Sequence, residues 1–135
     1  MSKRKVAALV LVVLLLVGWI VGNPPGRFGW SRFGLTVYNC LPRPISDLQI
    51  RSDGRLRTVT KTHDLTLEAV QWLLEPKPEF LIIAIGWDGV TRPAAEIAAL
   101  QQCQVKILKS GEALKLFNQL KKAGKLVAIH YHSTC

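Results

Sequence analysis

The most informative apolar stretch of the chain runs from Phe80 to Ile85 and is closed by Gly86. A strand with one face in water alternates apolar and polar positions, and this run has no polar position at all. The pattern therefore predicts a strand buried on both faces, as in the middle of a sheet covered by helices. The chain after Arg32 can be arranged in layers around this strand.

Two short extended stretches that precede this strand predict a β-hairpin. Leu48–Ile50 alternates, Leu56–Thr60 is extended, and Asp53-Gly54 stands between them. Asp-Gly is a strong hairpin signal because a type I′ turn needs positive φ at both central residues. A further short strand is predicted at Leu35–Tyr38.

Helical and strand patterns alternate from Thr66 onward. Apolar residues recur at helical spacing from Leu67, and Asp64 or Thr66 can cap a helix that continues to about Glu75. The later predicted elements are a short helix opened by Pro93 and ending near Gln101, a strand at Val105–Leu108, a helix capped by Ser110 and closed by Gly124, and a strand at Leu126–Tyr131. This order predicts a layered α/β domain.

The N-terminal segment predicts a membrane anchor over residues 1–22. Three basic residues precede residues 6–21, a run without charge whose helical length of roughly 24 Å is slightly short of a bilayer core. Aromatic residues that alternate with arginines extend the run as an interfacial belt: Trp19, Phe28, Trp30 and Phe33. A cleaved signal peptide is the alternative, although its best cleavage site, Ile20-Val21-Gly22, has a large outer residue.

The boundaries that follow are an anchor at 1–22, a stiff linker at 23–34 and a domain at 35–135. The linker prediction depends on Asn23-Pro24-Pro25-Gly26, which cannot continue a helix. The orientation of the anchor stays open. The basic residues before the apolar run favour a domain outside the cytoplasm, whereas the unpaired thiols favour a reducing compartment.

Charge and cysteine content exclude some classes of protein. The 135 residues carry a net charge of +9, but the basic residues are scattered and lack the aromatic interleaving that stacks bases, so no nucleic-acid partner is expected. Three cysteines without a CxxC motif do not form a disulfide framework.

The loop after the apolar strand is the first candidate site. Open α/β sheets bind ligands at the carboxyl ends of their strands, which places Gly86, Trp87, Asp88 and Arg92 in a favourable position. Asp88 could act as an acid or base, Trp87 as a binding platform, and Arg92 as a partner for an anionic ligand. The competing interpretation is a glycine-permitted turn with an ordinary surface aspartate.

The histidines and the tail are the second candidate site. His130 and His132 are two residues apart on a predicted strand, so both rings face one side, and Cys135 or His63 would have to complete a metal site. A hydrogen-bonded or exposed histidine pair is the preferred interpretation, and no metal is expected. Cys135 is expected to be a small buried thiol rather than a nucleophile, since His132 and Cys135 would point to opposite faces of a strand.

Several segments together resemble one known family. They are Trp72-Leu73-Leu74-Glu75-Pro76 ahead of the apolar strand and Gly86, then Glu112-Ala113 with Phe117-Asn118 and Leu120, then Gly124 with Val127, and the tail His132-Ser133-Thr134-Cys135. The order and spacing are similar to the MTH nine-three-eight-like domain family, which includes mitochondrial complex I assembly factor 3 and the adipogenesis-associated domain protein. Where relatives carry Gly-x-Gly after the strand, this chain has Ala84-Ile85-Gly86.

The resemblance covers about residues 35–135 and implies a three-layer α/β domain with a mixed sheet flanked by helices. It assigns His132, Thr134 and Cys135 to the family's tail. It also implies a non-enzymatic accessory or assembly role that depends on protein partners, with no cofactor. The alternative function is a small domain or enzyme that binds an anionic ligand through the Gly86–Arg92 loop.

Overall fold

The computed structural model describes all residues 1–135, and all ten strands lie after Gly22. The four helices are α1 (Lys3–Gly22), α2 (Leu67–Val70, continued by a 3-10 turn at Gln71–Leu74), α3 (Ala95–Ala98) and α4 (Ser110–Lys122). The ten strands are β1 (Phe28–Arg32), β2 (Leu35–Tyr38), β3 (Leu41–Pro44), β4 (Asp47–Ile50), β5 (Leu56–Val59), β6 (Asp64–Leu65), β7 (Phe80–Ala84), β8 (Arg92–Pro93), β9 (Gln104–Leu108) and β10 (Val127–Tyr131).

The main sheet has five strands in the order β5-β4-β10-β7-β9. β7 lies parallel to both β10 and β9, whereas β10 pairs with β4 in the antiparallel direction, so the sheet is mixed. Leu81, Ile82, Ile83 and Ala84 are fully buried. The mixed α/β class and the buried strand predicted from the Phe80–Ile85 run are confirmed.

Separate apolar cores cover the two faces of this sheet. On one face, Ile82, Ile129 and Tyr131 pack with Phe117 of α4 and with Phe28 of β1. On the other face, the alternate residues of β7 and β10 pack with the α2 and α3 segments: Leu81, Ile83, Ala128, Val70, Leu73 and Ile97. The period-two alternation along each strand therefore divides its side chains between the two cores.

The β4–β5 hairpin is confirmed, but its turn is not type I′. Ile50 pairs with Leu56, and the loop between them closes through Gly54 N–H to Arg51 O at 3.0 Å and Arg51 N–H to Arg55 O at 2.9 Å. Gly54 has a φ of 86° and Asp53 has no positive φ. One left-handed residue after a normal turn matches a three-residue loop with a glycine bulge.

Two predicted helix starts are also wrong. Pro93 does not open a helix; it lies in β8 beside Leu65, and the helix that follows is only four residues long. Ser110 is the first residue of α4 rather than its cap, because its hydroxyl contacts Gly86 and His132 O instead of the helix. By contrast, Thr66 caps α2 and Gly124, with a φ of 75°, follows α4 as expected.

Residues 23–34, predicted as a linker, instead begin the folded domain. They contain β1, which pairs with β2 in a separate three-stranded sheet. Phe28 was assigned to an interfacial belt, but only 3% of it is exposed, and its ring lies about 5 Å from those of Tyr38 and Phe117. Aromatic side chains bury large apolar areas, so Phe28 belongs to the core.

The N-terminal helix α1 has no buried residue. It is long and apolar enough to cross a membrane or to act as a signal sequence.

Candidate functional site

The chain after β10 is held by the loop that follows β7. Trp87 N–H donates to Thr134 O at 2.7 Å, and Val90 N–H donates to Cys135 O at 3.0 Å. Gly34 N–H also donates to Ser133 O at 2.8 Å. The backbone N–H groups of Trp87 and Val90 therefore bind the chain's own tail, at the place where the sequence predicts a candidate ligand site.

Gly86 allows this close approach. Its φ is 101°, and a Cβ atom there would overlap the carbonyl group of Cys135 and lie 3.1 Å from Cδ2 of His132. Its N–H donates to Ser110 Oγ at 3.1 Å, and the Ser110 hydroxyl donates onward to His132 O at 2.8 Å. The close approach of the tail therefore explains why this position is a glycine, without any bound ligand.

Asp47 organises the buried side of the tail. Its Oδ2 accepts a hydrogen bond from His132 Nδ1 at 2.6 Å, and both side chains are fully buried. Its Oδ1 accepts from Lys61 Nζ at 2.7 Å, from Ser133 N–H at 2.9 Å and from Ser133 Oγ at 3.0 Å. Lys61 Nζ also donates to Ser133 Oγ at 2.8 Å.

The ionised form of Asp47 is favoured. Burial by itself would raise the pKa of the carboxyl group, but hydrogen bonds from Lys61, Ser133 N–H and His132 outweigh burial and lower it. An ionised Asp47 can only accept, so Nδ1 of His132 carries the hydrogen. Nε2 of a neutral His132 then presents its lone pair on the other side of the ring, 3.4 Å from Thr134 Oγ1.

His63 and Cys135 complete the group at the surface. Cys135 Sγ lies 3.5 Å from His63 Nε2, and the His63 ring meets the His132 ring edge-on with 5.3 Å between centroids. His63 is exposed and Cys135 is half-buried. We call the set of Asp47, Lys61, His63, His132, Ser133 and Cys135 the tail site.

The tail departs from the expected strand geometry at Cys135. Cys135 lies close to His132 and His63, and it is not a fully buried thiol. The regular strand ends at Tyr131, so the alternation expected between His132 and Cys135 does not hold. The tail residues His132, Thr134 and Cys135 are therefore gathered at one place.

The residues proposed in the Gly86–Arg92 loop do not converge on a common point. Trp87 donates from Nε1 to Tyr131 Oη at 3.3 Å and lines a groove of about 400 Å³ beside Phe28 and Gly111. Asp88 is exposed, and its carboxylate forms no hydrogen bond. Arg92 pairs with Asp64 at 3.0 Å on the surface.

His130 lies on the same face as His132 but belongs to a different contact network. Its Nδ1 accepts from Gln49 Nε2 at 3.1 Å, while its buried Nε2 has no partner. Gln49 Oε1 accepts from Arg57 at 2.6 Å, so the amide is fully engaged. Burial, and to a smaller extent the nearby His132 and Arg57, lowers the pKa of His130 to about 4 against a partial opposing effect of Asp47.

His130 is therefore expected to make the fold acid-sensitive. The unfolded chain takes up a proton at His130 below its ordinary pKa of 6.5, whereas the folded chain does so only near pH 4, so stability falls as pH is lowered through this window. The slope of the free energy of unfolding against pH approaches about 1.4 kcal/mol per pH unit. Urea unfolding of the full chain in detergent micelles between pH 7 and pH 4.5 measures it.

The variant His130→Asn keeps an acceptor for Gln49 but cannot titrate, so it should lose most of this slope. His63→Asn removes an exposed histidine and should keep the slope. Equal slopes in wild type and His130→Asn would contradict the assignment.

Asp47 and Lys61 were not predicted as site residues. The signal for Asp47 lay in β4, where the polar residues Asp47 and Gln49 alternate with the apolar residues Leu48 and Ile50. Gln49 pairs with His130 across the strands, and the same antiparallel register, continued by two residues, places Asp47 opposite His132.

Three solved structures share this fold. MT938 is 28% identical, with a TM-score of 0.71 over 81% of this chain and 98% of that chain. A conserved hypothetical protein, PH1505, from Pyrococcus horikoshii OT3 is 23% identical, with a TM-score of 0.70 over 81% and 99%. An outer membrane protein from Bartonella henselae is 20% identical, with a TM-score of 0.66 over 82% and 98%.

The chain therefore has the MTH938-like fold, which confirms at the level of fold the family resemblance drawn from the sequence motifs. No protein-family model matches the sequence, and no curated protein matches it either. The function of this fold is uncharacterised, so it assigns no chemistry to the tail site.

Proposed function

We propose that the protein is a membrane-anchored, non-enzymatic accessory protein that acts through protein contacts. The observation that carries this proposal is the fully exposed apolar helix α1, which continues directly into the folded domain. The resemblance to complex I assembly factor 3 supports the accessory role.

The junction between α1 and the domain is structured by Asn23. Its backbone N–H donates to Trp19 O at 2.8 Å, and its side chain accepts from Trp30 N–H at 2.9 Å. Trp19 Nε1 also donates to Cys40 O at 2.9 Å, between β2 and β3. These contacts support a helix retained as part of the native protein over a leader that is removed.

The three-stranded sheet β1-β2-β3 presents apolar side chains beside this junction. Its exposed large residues are Trp30, Phe33, Leu41 and Ile45. Arg32 lies over the Trp30 ring at 5.2 Å, which is a cation–π distance. Aromatic and basic residues together are typical of the membrane interface, so this sheet supports a position close to lipid.

The polar groups of the tail site support a structural rather than a catalytic role. Asp47 accepts four hydrogen bonds, and Ser133 Oγ both donates to Asp47 and accepts from Lys61. Ser133 is also fully buried, so its hydroxyl is not accessible to a substrate. A catalytic site also needs a base and an oxyanion donor facing a common point, and Asp88 and Arg92 do not supply them.

Alkaline extraction of membranes tests the anchor. A chain retained through α1 should stay in the membrane pellet at its full mass, because some twenty apolar residues hold a helix in the bilayer. A shorter soluble form, beginning near Asn23, would contradict the proposal. Asn23→Ala serves as a matched variant that loosens the junction without changing the apolar length of α1.

Purification in mild detergent tests the accessory role. A stoichiometric membrane protein should copurify with the full chain and remain bound to the Asp88→Ala and Cys135→Ser variants. A chain without a partner that carries a tightly bound anionic small molecule, lost in Asp88→Ala, would overturn the proposal in favour of the ligand-binding alternative.

A further inference from the structure

We infer that His63, His132 and Cys135 form a binding site for one zinc-like divalent transition-metal ion. One ring nitrogen of each histidine and Sγ of Cys135 all lie within 4.8 Å of one another. Imidazole nitrogen and thiolate sulfur are the ligands that Zn²⁺ prefers. This inference goes beyond the proposed accessory function and does not depend on it.

His132 is oriented as a metal ligand by its contact with Asp47. Metal-binding histidines generally donate their second ring N–H to a carboxylate or carbonyl, which sets the tautomer and holds the ring in place. The 2.6 Å contact between Nδ1 and the buried Asp47 Oδ2 supplies this arrangement. Nε2 is thereby left as the donor atom on the side of His63 and Cys135.

The distances among the donors suit a tetrahedral ion. With Zn–N near 2.1 Å and Zn–S near 2.3 Å, tetrahedral angles place nitrogen and sulfur roughly 3.6 Å apart. Cys135 Sγ and His63 Nε2 are 3.5 Å apart, so one edge of the tetrahedron is already formed. The remaining donor separations are at most 4.8 Å, and the exposed side chain of His63 has room to adjust toward an ion.

The backbone holds Cys135 in position without any metal. Val90 N–H binds its carbonyl oxygen at 3.0 Å, and Gly86 lies against the same carbonyl group. Lys61 is paired with Asp47 at 2.7 Å. The negative charges of the Asp47 carboxylate and of a Cys135 thiolate then partly offset the positive charges of Lys61 and of the metal ion.

Three protein ligands leave a fourth coordination position. Structural zinc sites generally have four protein ligands, whereas sites with three keep one position for water or an added group. The histidine pair considered from the sequence included His130, but Gln49 holds that ring elsewhere. His63, far away in sequence, takes its place.

Zinc titration of the full chain in detergent micelles, with a thiol reductant present, tests the inference. We expect one Zn²⁺ per chain. Each of Cys135→Ser and His63→Ala should weaken binding by about 100-fold or more, beyond the roughly 10–100-fold typical of losing an outer-shell partner. Both residues are at the surface, so the variants should stay folded, as circular dichroism can check.

Cobalt(II) provides a direct probe of the ligand set. The Co²⁺-loaded protein should show visible bands of a tetrahedral ion and a near-ultraviolet sulfur-to-cobalt band that disappears in Cys135→Ser. Cys103→Ser is the matched control and should keep both signals, because Cys103 packs against the α2 side of the sheet. Zinc binding of equal strength in Cys135→Ser and wild type, or no binding in wild type, would overturn the inference.

Discussion

Replacing Asp47 by alanine is expected to lower the free energy of unfolding by roughly 2–6 kcal/mol, because it leaves the buried donors of His132 and Ser133 unpaired at about 1–3 kcal/mol each. The substitution leaves His132 Nδ1, Ser133 N–H and the Lys61 ammonium without their shared acceptor. A buried donor without a partner bears its full desolvation cost, which is why the loss exceeds that of an ordinary hydrogen bond.

Denaturant unfolding of the full chain in detergent micelles, followed by tryptophan fluorescence, measures this loss. Asp64→Ala is the matched control, since Asp64 also forms a salt bridge, to Arg92, but with both side chains more than 70% exposed. Exposed pairs contribute about 0–1 kcal/mol, so the control should change little. Similar losses in the two variants would contradict the central role of Asp47.

The central sheet was predictable because its signals are local. Six apolar residues without a polar position require burial on both faces, and β7 lies between two parallel strands as that requirement implies. Asp53-Gly54 likewise marked the hairpin, because a glycine allows the left-handed residue wherever it falls in the loop. The turn type was not predictable, since it depends on how Ile50 and Leu56 are paired.

His132, Cys135 and His63 were considered together from the sequence, but the rest of the tail site was not predictable because it depends on contacts between distant parts of the chain. Asp47 and His132 are 85 residues apart, and only the antiparallel register of β4 and β10 brings them together. His63 directly precedes β6, and the pairing of β6 with β8 fixes its backbone, with Arg92 N–H donating to His63 O at 2.7 Å. Spacing along one strand identified His132 but selected His130 as its neighbour.

The aromatic residues after α1 were ambiguous for a different reason. Phe28, Trp30 and Phe33 alternate with arginines, a pattern that suits either a membrane interface or a strand with one buried face. The structure divides them: Phe28 is buried among aromatic rings, whereas Trp30 and Phe33 are half exposed. Phe28 and Trp30 would share one face of a regular strand, but the pairing of β1 with β2 shifts register between Phe28 and Ser31, and this irregularity separates the two rings.

Replacing Gly86 by alanine is expected to cost about 2–5 kcal/mol of stability. A φ of 101° is outside the range that L-residues adopt easily, which costs roughly 1–2 kcal/mol by itself. The added Cβ would also overlap the carbonyl group of Cys135, and overpacking of this kind adds roughly 1–3 kcal/mol. The readout is the same denaturant unfolding of the full chain in micelles.

Gly124→Ala separates the two contributions, because Gly124 also has a positive φ, 75°, but has nothing within 4 Å of the position of a Cβ atom. Gly124→Ala should therefore show only the cost of placing alanine in a left-handed backbone conformation. The loss of stability in Gly86→Ala beyond that in Gly124→Ala measures how tightly the Gly86 loop holds the tail. This additional loss should shrink if Cys135 can move away. Equal losses in both variants would mean that the tail yields freely, in which case the loop does not position Cys135 beside His63.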